Sequence, residues 1–329
     1  MRLFDCTLRD GANVAGLGFD RKLTVSMIEA MLACGITEIE FGNAHGIGCD
    51  YEPGVPLTDK EYLEVFRPYK GRGQFGMFLQ NKAASEETVK EAKEGGLDFL
   101  RVGNLAGNGA QSEKAIAMVK AAGLKCRYAM MRVYLLTAEE AAQEAELLEK
   151  LGVDEITLMD SAGTMLAQEV SGYIREVKKR VSIPIGFHGH NNLGMAAANA
   201  LAAMEAGADS LDCGLMGMAR SAGNCSTELL IGLLQRMGKC TELDLYGLLD
   251  YIDQELEPEM KKYGFVNPLS PKDLIYGLSG CHSNVAPKIE KLAREYGVPV
   301  YSYIMAVTAR DKRAPSEDLL KEVALEMKK

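Results

Sequence analysis

A helix-like segment rich in Ala, Glu and Lys, then a glycine, then a short β-branched or aromatic run: this cadence repeats over the first 238 residues. It constrains the fold more than any other feature of the chain. Ala33-Cys34-Gly35 precedes Ile36–Phe41, Glu94-Gly95-Gly96 precedes Leu97–Val102, and Ala121-Ala122-Gly123 precedes Leu124–Met131. Leu151-Gly152 before Val153–Met159 and Glu205-Ala206-Gly207 before Ala208–Cys213 continue the series. Glycine after a helix supplies the left-handed cap conformation that side chains resist. The runs that follow read as apolar on both faces, as in a parallel sheet covered by helices.

Strands are predicted at Leu3–Thr7, Ile36–Phe41, Gln74–Leu79, Leu97–Val102, Leu124–Met130, Glu155–Met159, Ile183–Phe187 and Ser210–Cys213. Eight successive βα units in about 238 residues match an α/β fold of the (β/α)8 TIM-barrel type. A doubly wound open sheet would seldom need eight units, and no GxGxxG follows the first strand. The expected organisation is a catalytic barrel over residues 1–238 and a helical C-terminal extension over 239–329. In the extension, Thr241–Tyr263 reads as one long helix, followed by helices near Lys272–Leu278, Val285–Tyr296 and Ser316–Lys328. It is expected to pack on the barrel rather than fold alone.

Charge narrows the function. A formal net charge of −9, with one basic cluster at Lys178-Lys179-Arg180, gives no stripe for nucleic acid. That cluster suits a helix C-terminus, where cations complement the dipole. The most apolar stretch, Leu193–Ala206, is short and interrupted by Asn199 and Glu205, so no membrane span is expected. No basic-then-apolar leader precedes the strand-like Arg2–Asp5. Eight scattered cysteines without CxxC or zinc spacing read as reduced thiols, and the expected location is cytoplasmic.

Active sites of such barrels lie at the C-terminal ends of the strands. The unusual polar residues of this chain fall there. Strand one ends in Thr7-Leu8-Arg9-Asp10-Gly11, strand two runs into Gly42-Asn43-Ala44-His45-Gly46, and strand six into Asp160-Ser161-Ala162-Gly163. Strand seven ends in His188-Gly189-His190-Asn191-Asn192, and strand eight leads to Gly214–Gly217 and Ala222-Gly223-Asn224. Residues i and i+2 of a strand share a side, so His188 and His190, two of only four histidines, can reach one point. With Asp10 they predict a divalent-metal site. Two imidazoles and a carboxylate leave about three octahedral positions open, which suits Mn²⁺, Mg²⁺, Co²⁺ or Fe²⁺, and Zn²⁺ would also tolerate these ligands. Arg9 is the expected partner of an anion bound at that metal, against a rim salt bridge as the alternative. Asp5 is expected to point inward, Asn224 to stand beside the metal, and Ser161 to offer a hydroxyl or cap a helix.

Assembled, these residues resemble the metal-dependent pyruvate-aldolase and acyl-CoA lyase/synthase superfamily of TIM barrels, whose signature is TLRDG on strand one and HxHN on strand seven. Within it the chain most resembles 4-hydroxy-2-oxovalerate aldolases, through Phe4–Gly11, Ile36–Gly48, Leu158–Gly163, Gly186–Gly207 and Asp212–Glu228, with weaker likeness into the extension. The resemblance implies that Asp10, His188 and His190 ligate the metal and that a 2-oxo acid chelates it through carboxylate and keto oxygens. It implies that Arg9 stabilises the enolate formed as the carbon–carbon bond breaks, and that Ser161 and Asn224 help hold the substrate. The implied reaction takes a 4-hydroxy-2-oxo acid to pyruvate and an aldehyde, or the reverse. Implied partners are an acylating aldehyde dehydrogenase and a second copy, as a homodimer through the extension.

Two positions depart from the aldolase pattern. Asn13 stands where the aldolases carry a histidine thought to be the general base, and an amide cannot take a proton at neutral pH. A segment with a catalytic tyrosine aligns with Leu278–Ser283, which makes His282, or Tyr276 after a small shift, the candidate proton carrier, against mere packing. Asn13 leans towards the synthases, so an acyl-CoA-dependent 2-oxo acid synthase of the isopropylmalate or homocitrate type is the alternative. An acyl-CoA lyase lacks its loop cysteine between Gly214 and Gly223 here. A metal-binding barrel without catalysis is disfavoured by Arg9 standing with all three ligands.

Overall fold

The computed structural model describes residues 1–51, 54–266, 268, 271–279, 281, 285–311 and 315–328, with the side chains at 273, 276 and 277 outside that set. Its first eight strands are β1 (Arg2–Asp5), β2 (Glu38–Glu40), β3 (Gln74–Gln80), β4 (Phe99–Leu105), β5 (Lys125–Met131), β6 (Glu155–Asp160), β7 (Ile185–Gly189) and β8 (Ser210–Cys213). All pair in parallel, in chain order, and β8 returns to β1 with Phe4 opposite Asp212 and Asp5 opposite Cys213. The barrel is closed, which leaves no sheet edge exposed.

Between the strands run α1 (Arg21–Cys34), α2 (Asp59–Phe66), α3 (Glu86–Gly95), α4 (Glu113–Ala121), α5 (Ala138–Lys150), α6 (Ala167–Arg180) and α7 (Ala196–Glu205), with α8 (Thr227–Arg236) after β8. Local chemistry sets their ends. Thr58 with Glu61 and Thr137 with Glu140 form reciprocal capping boxes, and Asp20 and Ser85 cap α1 and α3. Gly35 ends α1 at φ 99°, a left-handed conformation that turns the chain towards β2 at little cost.

One expectation fails instructively. The inward faces of the strands are not hydrocarbon throughout. Glu38, Glu40, Arg101, Arg127, Glu155 and Asp212 are all buried, and their contacts cross the lumen. At the N-terminal end Arg127 binds Glu38 at 2.7 Å, while Arg2 reaches Glu38 and Glu155 at 3.0 Å each. Phe4 and Phe99 form an apolar layer above, with Arg127 over both rings at 5.0 and 4.3 Å. Buried charge is tolerated only when paired and hydrogen-bonded, and here the opposite charges lie within contact distance.

Beyond α8 come α9 (Leu245–Tyr251), α10 (Glu257–Lys261), α11 (Pro271–Ser279), α12 (Ala286–Tyr296), α13 (Val300–Arg310) and α14 (Glu317–Glu326). The single helix expected over 241–263 is two helices joined by a π-helical turn, Ile252–Leu256. Helix α9 packs on α1 and α8, α11 packs on α8 and α13, and α12, α13 and α14 pack on one another. Helix α13 was not expected: Val300-Tyr301-Ser302-Tyr303-Ile304 has weak helical propensity. It forms because Tyr301, Tyr303, Ile304 and Val307 are buried against its neighbours. No helix among the described residues is long and apolar enough to cross a membrane.

Candidate metal centre at the mouth of the barrel

Asp10 lies just past β1, in a loop whose backbone folds back so that the Asp10 N–H donates to the Cys6 carbonyl at 2.8 Å. His188 lies near the end of β7. His190 follows it and bridges antiparallel to Asn224, from the loop after β8. One carboxylate oxygen and one ring nitrogen each from Asp10, His188 and His190 lie within 4.8 Å of one another, and all three residues are buried. Nε2 of each histidine is 3.7 Å from Asp10 Oδ2. That is too long for a hydrogen bond and of the size expected across a shared cation.

The partners of these groups favour a cation. His188 Nδ1 lies 3.1 Å from Asp212 Oδ2, so the carboxylate accepts the Nδ1–H and leaves the Nε2 lone pair facing Asp10. Burial lowers the His190 pKa to about 4, aided by His188 and opposed by Asp10, which keeps its ring neutral and ligand-ready. Burial pushes the Asp10 carboxyl up, but Arg9, the two histidines and the Asn224 amide outweigh it and hold it well below the usual carboxylate range. Asn224 Nδ2 donates to Asp10 Oδ2 at 2.8 Å, and the buried Asn224 Oδ1 has no hydrogen-bond partner. A buried carbonyl oxygen without a donor beside a carboxylate and two imidazoles is what a cation would satisfy.

Charge supports the same fit. Asp10, Glu40 and Asp212 face Arg9 and Arg101, and every one of the five is at most 6% exposed. Glu40 and Asp212 are both held below the usual range: burial raises them, and it is more than offset by Arg101 with Arg9 at Glu40 and by Arg101 with His188 at Asp212. Three carboxylates against two guanidinium groups leave one negative charge in a dry space, and a divalent ion would reverse it.

The other expected site residues distribute as follows. Arg9 stands at the centre, but committed: Nε donates to Glu40 at 2.6 Å and Nη1 to Asp10 at 3.0 Å, and its guanidinium lies 4.8 Å over the Phe78 ring. Asn13 is in the turn after Asp10, its Nδ2 donating to the Asp10 carbonyl at 2.9 Å. Ser161 Oγ accepts the Arg132 N–H at 3.0 Å. It caps no helix, because α6 starts only at Ala167. Asp160 folds the turn ahead of α6, accepting from the Thr164 and Met165 N–H groups. Asp5 does not point inward. Strand alternation puts Phe4 and Cys6 in the lumen, and Asp5 binds Thr227 of α8 at 2.7 Å on the outer side. His282 and the side chain of Tyr276 lie outside the described residues.

Glu40, Arg101 and Asp212 were missed from the sequence. The signal was present: a charge at every second position, as in Glu38-Ile39-Glu40, inside strands too short and too enclosed to face water.

The closed (β/α)8 barrel carries its candidate metal centre at the C-terminal mouth, and the HMGL-like family model matches residues 107–254. The 4-hydroxy-2-oxovalerate aldolase of Geobacillus genomosp. 3 is 30% identical over 99% of this chain and 97% of its own length. That of Chloroflexus aurantiacus is 31% identical over 99% and 95%. The HMG-CoA lyase of Bacillus subtilis superposes with a TM-score of 0.69 over 84% of this chain and 97% of its own, at 19% identity, a likeness of fold. The chain belongs to the 4-hydroxy-2-oxovalerate aldolase family and is a lyase of the aldolase type.

Proposed function

We propose that the chain is a divalent-metal-dependent aldolase that cleaves a 4-hydroxy-2-oxo acid to pyruvate and an aldehyde, or runs the reverse. The observation that carries this reading is the convergence of Asp10, His188 and His190 with Arg9 hydrogen-bonded to Asp10. These three would hold the ion, Mn²⁺ first among the candidates. When bound, it supplies Lewis acidity at the 2-oxo group.

The chain's own residues account for the remainder. Arg9, fixed by Glu40, brings a cation to the side of Asp10 where negative charge develops on the enolate oxygen. Its position is preorganised, so little reorganisation is needed at the moment of bond cleavage. Asn224 keeps the Asp10 carboxylate oriented through its Nδ2. Phe78, Ala129 and Met159, with Met131 packed on them, form an apolar cluster beside Arg9 that lowers the local dielectric. Ser161 is assigned a substrate contact through its hydroxyl hydrogen, its oxygen being anchored by the Arg132 N–H. The hydroxyl proton lost in cleavage and the proton gained by the enolate carbon need a carrier. Asn13 is an amide, so this role falls to His282 or Tyr276. Eight thiols, none in a disulfide, support a cytoplasmic setting. The homodimer and the aldehyde dehydrogenase partner rest on family resemblance.

The test is exchange of pyruvate methyl protons with deuterated solvent, with Mn²⁺ or chelator, and with or without acetyl-CoA. Metal-dependent exchange without the coenzyme is expected. No exchange would overturn the aldolase reading, and release of free thiol from acetyl-CoA in the presence of a 2-oxo acid would favour the synthase.

A further inference from the structure

Arg101, midway along β4, is the largest side chain with no solvent exposure. Its Nε and Nη2 each donate to a Glu40 oxygen at 2.7 Å, and Nη1 donates to Asp212 Oδ2 at 2.6 Å. Each carboxylate passes the contact onward. Glu40 Oε2 also accepts Arg9 Nε at 2.6 Å, and Asp212 Oδ2 also accepts His188 Nδ1 at 3.1 Å. Two arms therefore leave one guanidinium, one ending on a candidate metal ligand and the other on the cation assigned to the enolate.

The arms have different consequences. An ionised carboxylate only accepts, so Asp212 selects the His188 tautomer with hydrogen on Nδ1 and the lone pair on Nε2, towards Asp10. Outer partners of this kind orient metal-binding imidazoles. Glu40 sets the direction of the Arg9 fork instead. Both carboxylates are shared acceptors, and among the described residues their donors are side chains alone. Their mutual placement comes from the planar Arg101 guanidinium between them.

We propose that Arg101 is a positioning residue that aims His188 and Arg9 in concert, with Asp212 carrying one arm and Glu40 the other. The second arm rests on the aldolase reading; the first concerns ion binding alone. A lysine at 101 would keep the charge but could not span both carboxylates with a rigid fork. A residue that merely balanced charge would tolerate that change.

The experiment is a pair of double-mutant cycles on the full chain, reading Mn²⁺ affinity by electron paramagnetic resonance without substrate, and pyruvate proton exchange at saturating Mn²⁺. Arg101→Lys is expected to weaken Mn²⁺ binding about 10–100-fold, the usual cost of losing an outer partner. That loss should vanish in an Asp212→Ala background, where the arm is already cut, and persist with Glu40→Gln. The loss in exchange rate should show the opposite pattern. Full, additive losses in both backgrounds, or wild-type behaviour of Arg101→Lys, would overturn the proposal. If Arg101→Lys does not fold, Asp212→Ala and Glu40→Gln alone must split the two readouts, and an equal effect of both variants on both readouts would overturn it. A protein that binds Mn²⁺ but exchanges no protons would sink the aldolase reading and leave the Asp212 arm standing.

Discussion

Asp10→Asn is the most searching single change. Each Asp10 oxygen accepts a hydrogen bond, Oδ1 from Arg9 at 3.0 Å and Oδ2 from Asn224 at 2.8 Å. A carboxamide must turn its NH2 towards one of those donors. Facing Arg9 would oppose two donors and cost a charged hydrogen bond, about 1.5–3 kcal/mol. Facing Asn224 can be relieved, because that amide can reverse and offer the Oδ1 that now lacks a donor. The metal-free variant is therefore expected to lose only about 1 kcal/mol of stability. Ion binding should fall much further. Two unit charges at 4 Å attract by about 4 kcal/mol at an effective dielectric of 20, and a divalent ion in contact exceeds this before dehydration is charged against it. A net loss of about 4 kcal/mol corresponds to roughly a thousandfold weaker affinity. Titration calorimetry with Mn²⁺ reads the affinity, and thermal unfolding without metal reads the stability. Mn²⁺ binding within threefold of wild type would refute the assignment of Asp10 as a ligand.

Two further outcomes follow from the same geometry. A Cβ at Gly163, which sits at φ 57°, would lie 2.5 Å from the His190 carbonyl oxygen and 2.6 Å from the Asn192 nitrogen. Gly163→Ala should therefore cost about 2 kcal/mol or more in chemical denaturation and weaken Mn²⁺ binding by displacing His190, and unchanged affinity would show that His190 does not depend on this contact. Burial raises the Glu228 carboxyl to about 7 while its Oε2 accepts the Met216 N–H. A raised acid favours folding while protonated, so its contribution is complete below about 4.5, the unfolded value, and is lost as pH rises through about 7. Glu228→Gln cannot ionise, so its stability relative to wild type should rise between pH 5 and pH 8, by up to about 3 kcal/mol. A difference independent of pH would show that the carboxyl ionises freely in the fold.

Much of the site was legible because the signals were local. Asp10, His188 and His190 were singled out from strand-end placement and two-residue spacing, which need only the pleat of a strand, and their side chains converge. Arg9 was found from its adjacency to Asp10. The sequence could not disclose its commitment to Glu40, thirty-one positions away. Asp5 was misplaced because β1 is short, and without its neighbours nothing says which of two alternating sets faces the lumen. Ser161 was read as a helix cap because the distance to the true start of α6 depends on Asp160 folding the intervening turn.

The sequence alone determined the eight-fold βα cadence, hence the barrel, and the strand ends on which Asp10, His188 and His190 ride, because glycine caps, capping boxes and strand periodicity act within a few residues. Only the tertiary structure decided that the lumen is an ion-paired interior, that Arg101 joins Glu40 to Asp212, and that β-branched, tyrosine-bearing α13 is helical. Those outcomes depend on charges and apolar faces brought together across the closed barrel and its packed helices. The free energy of burying them is set by partners that no local stretch of chain contains.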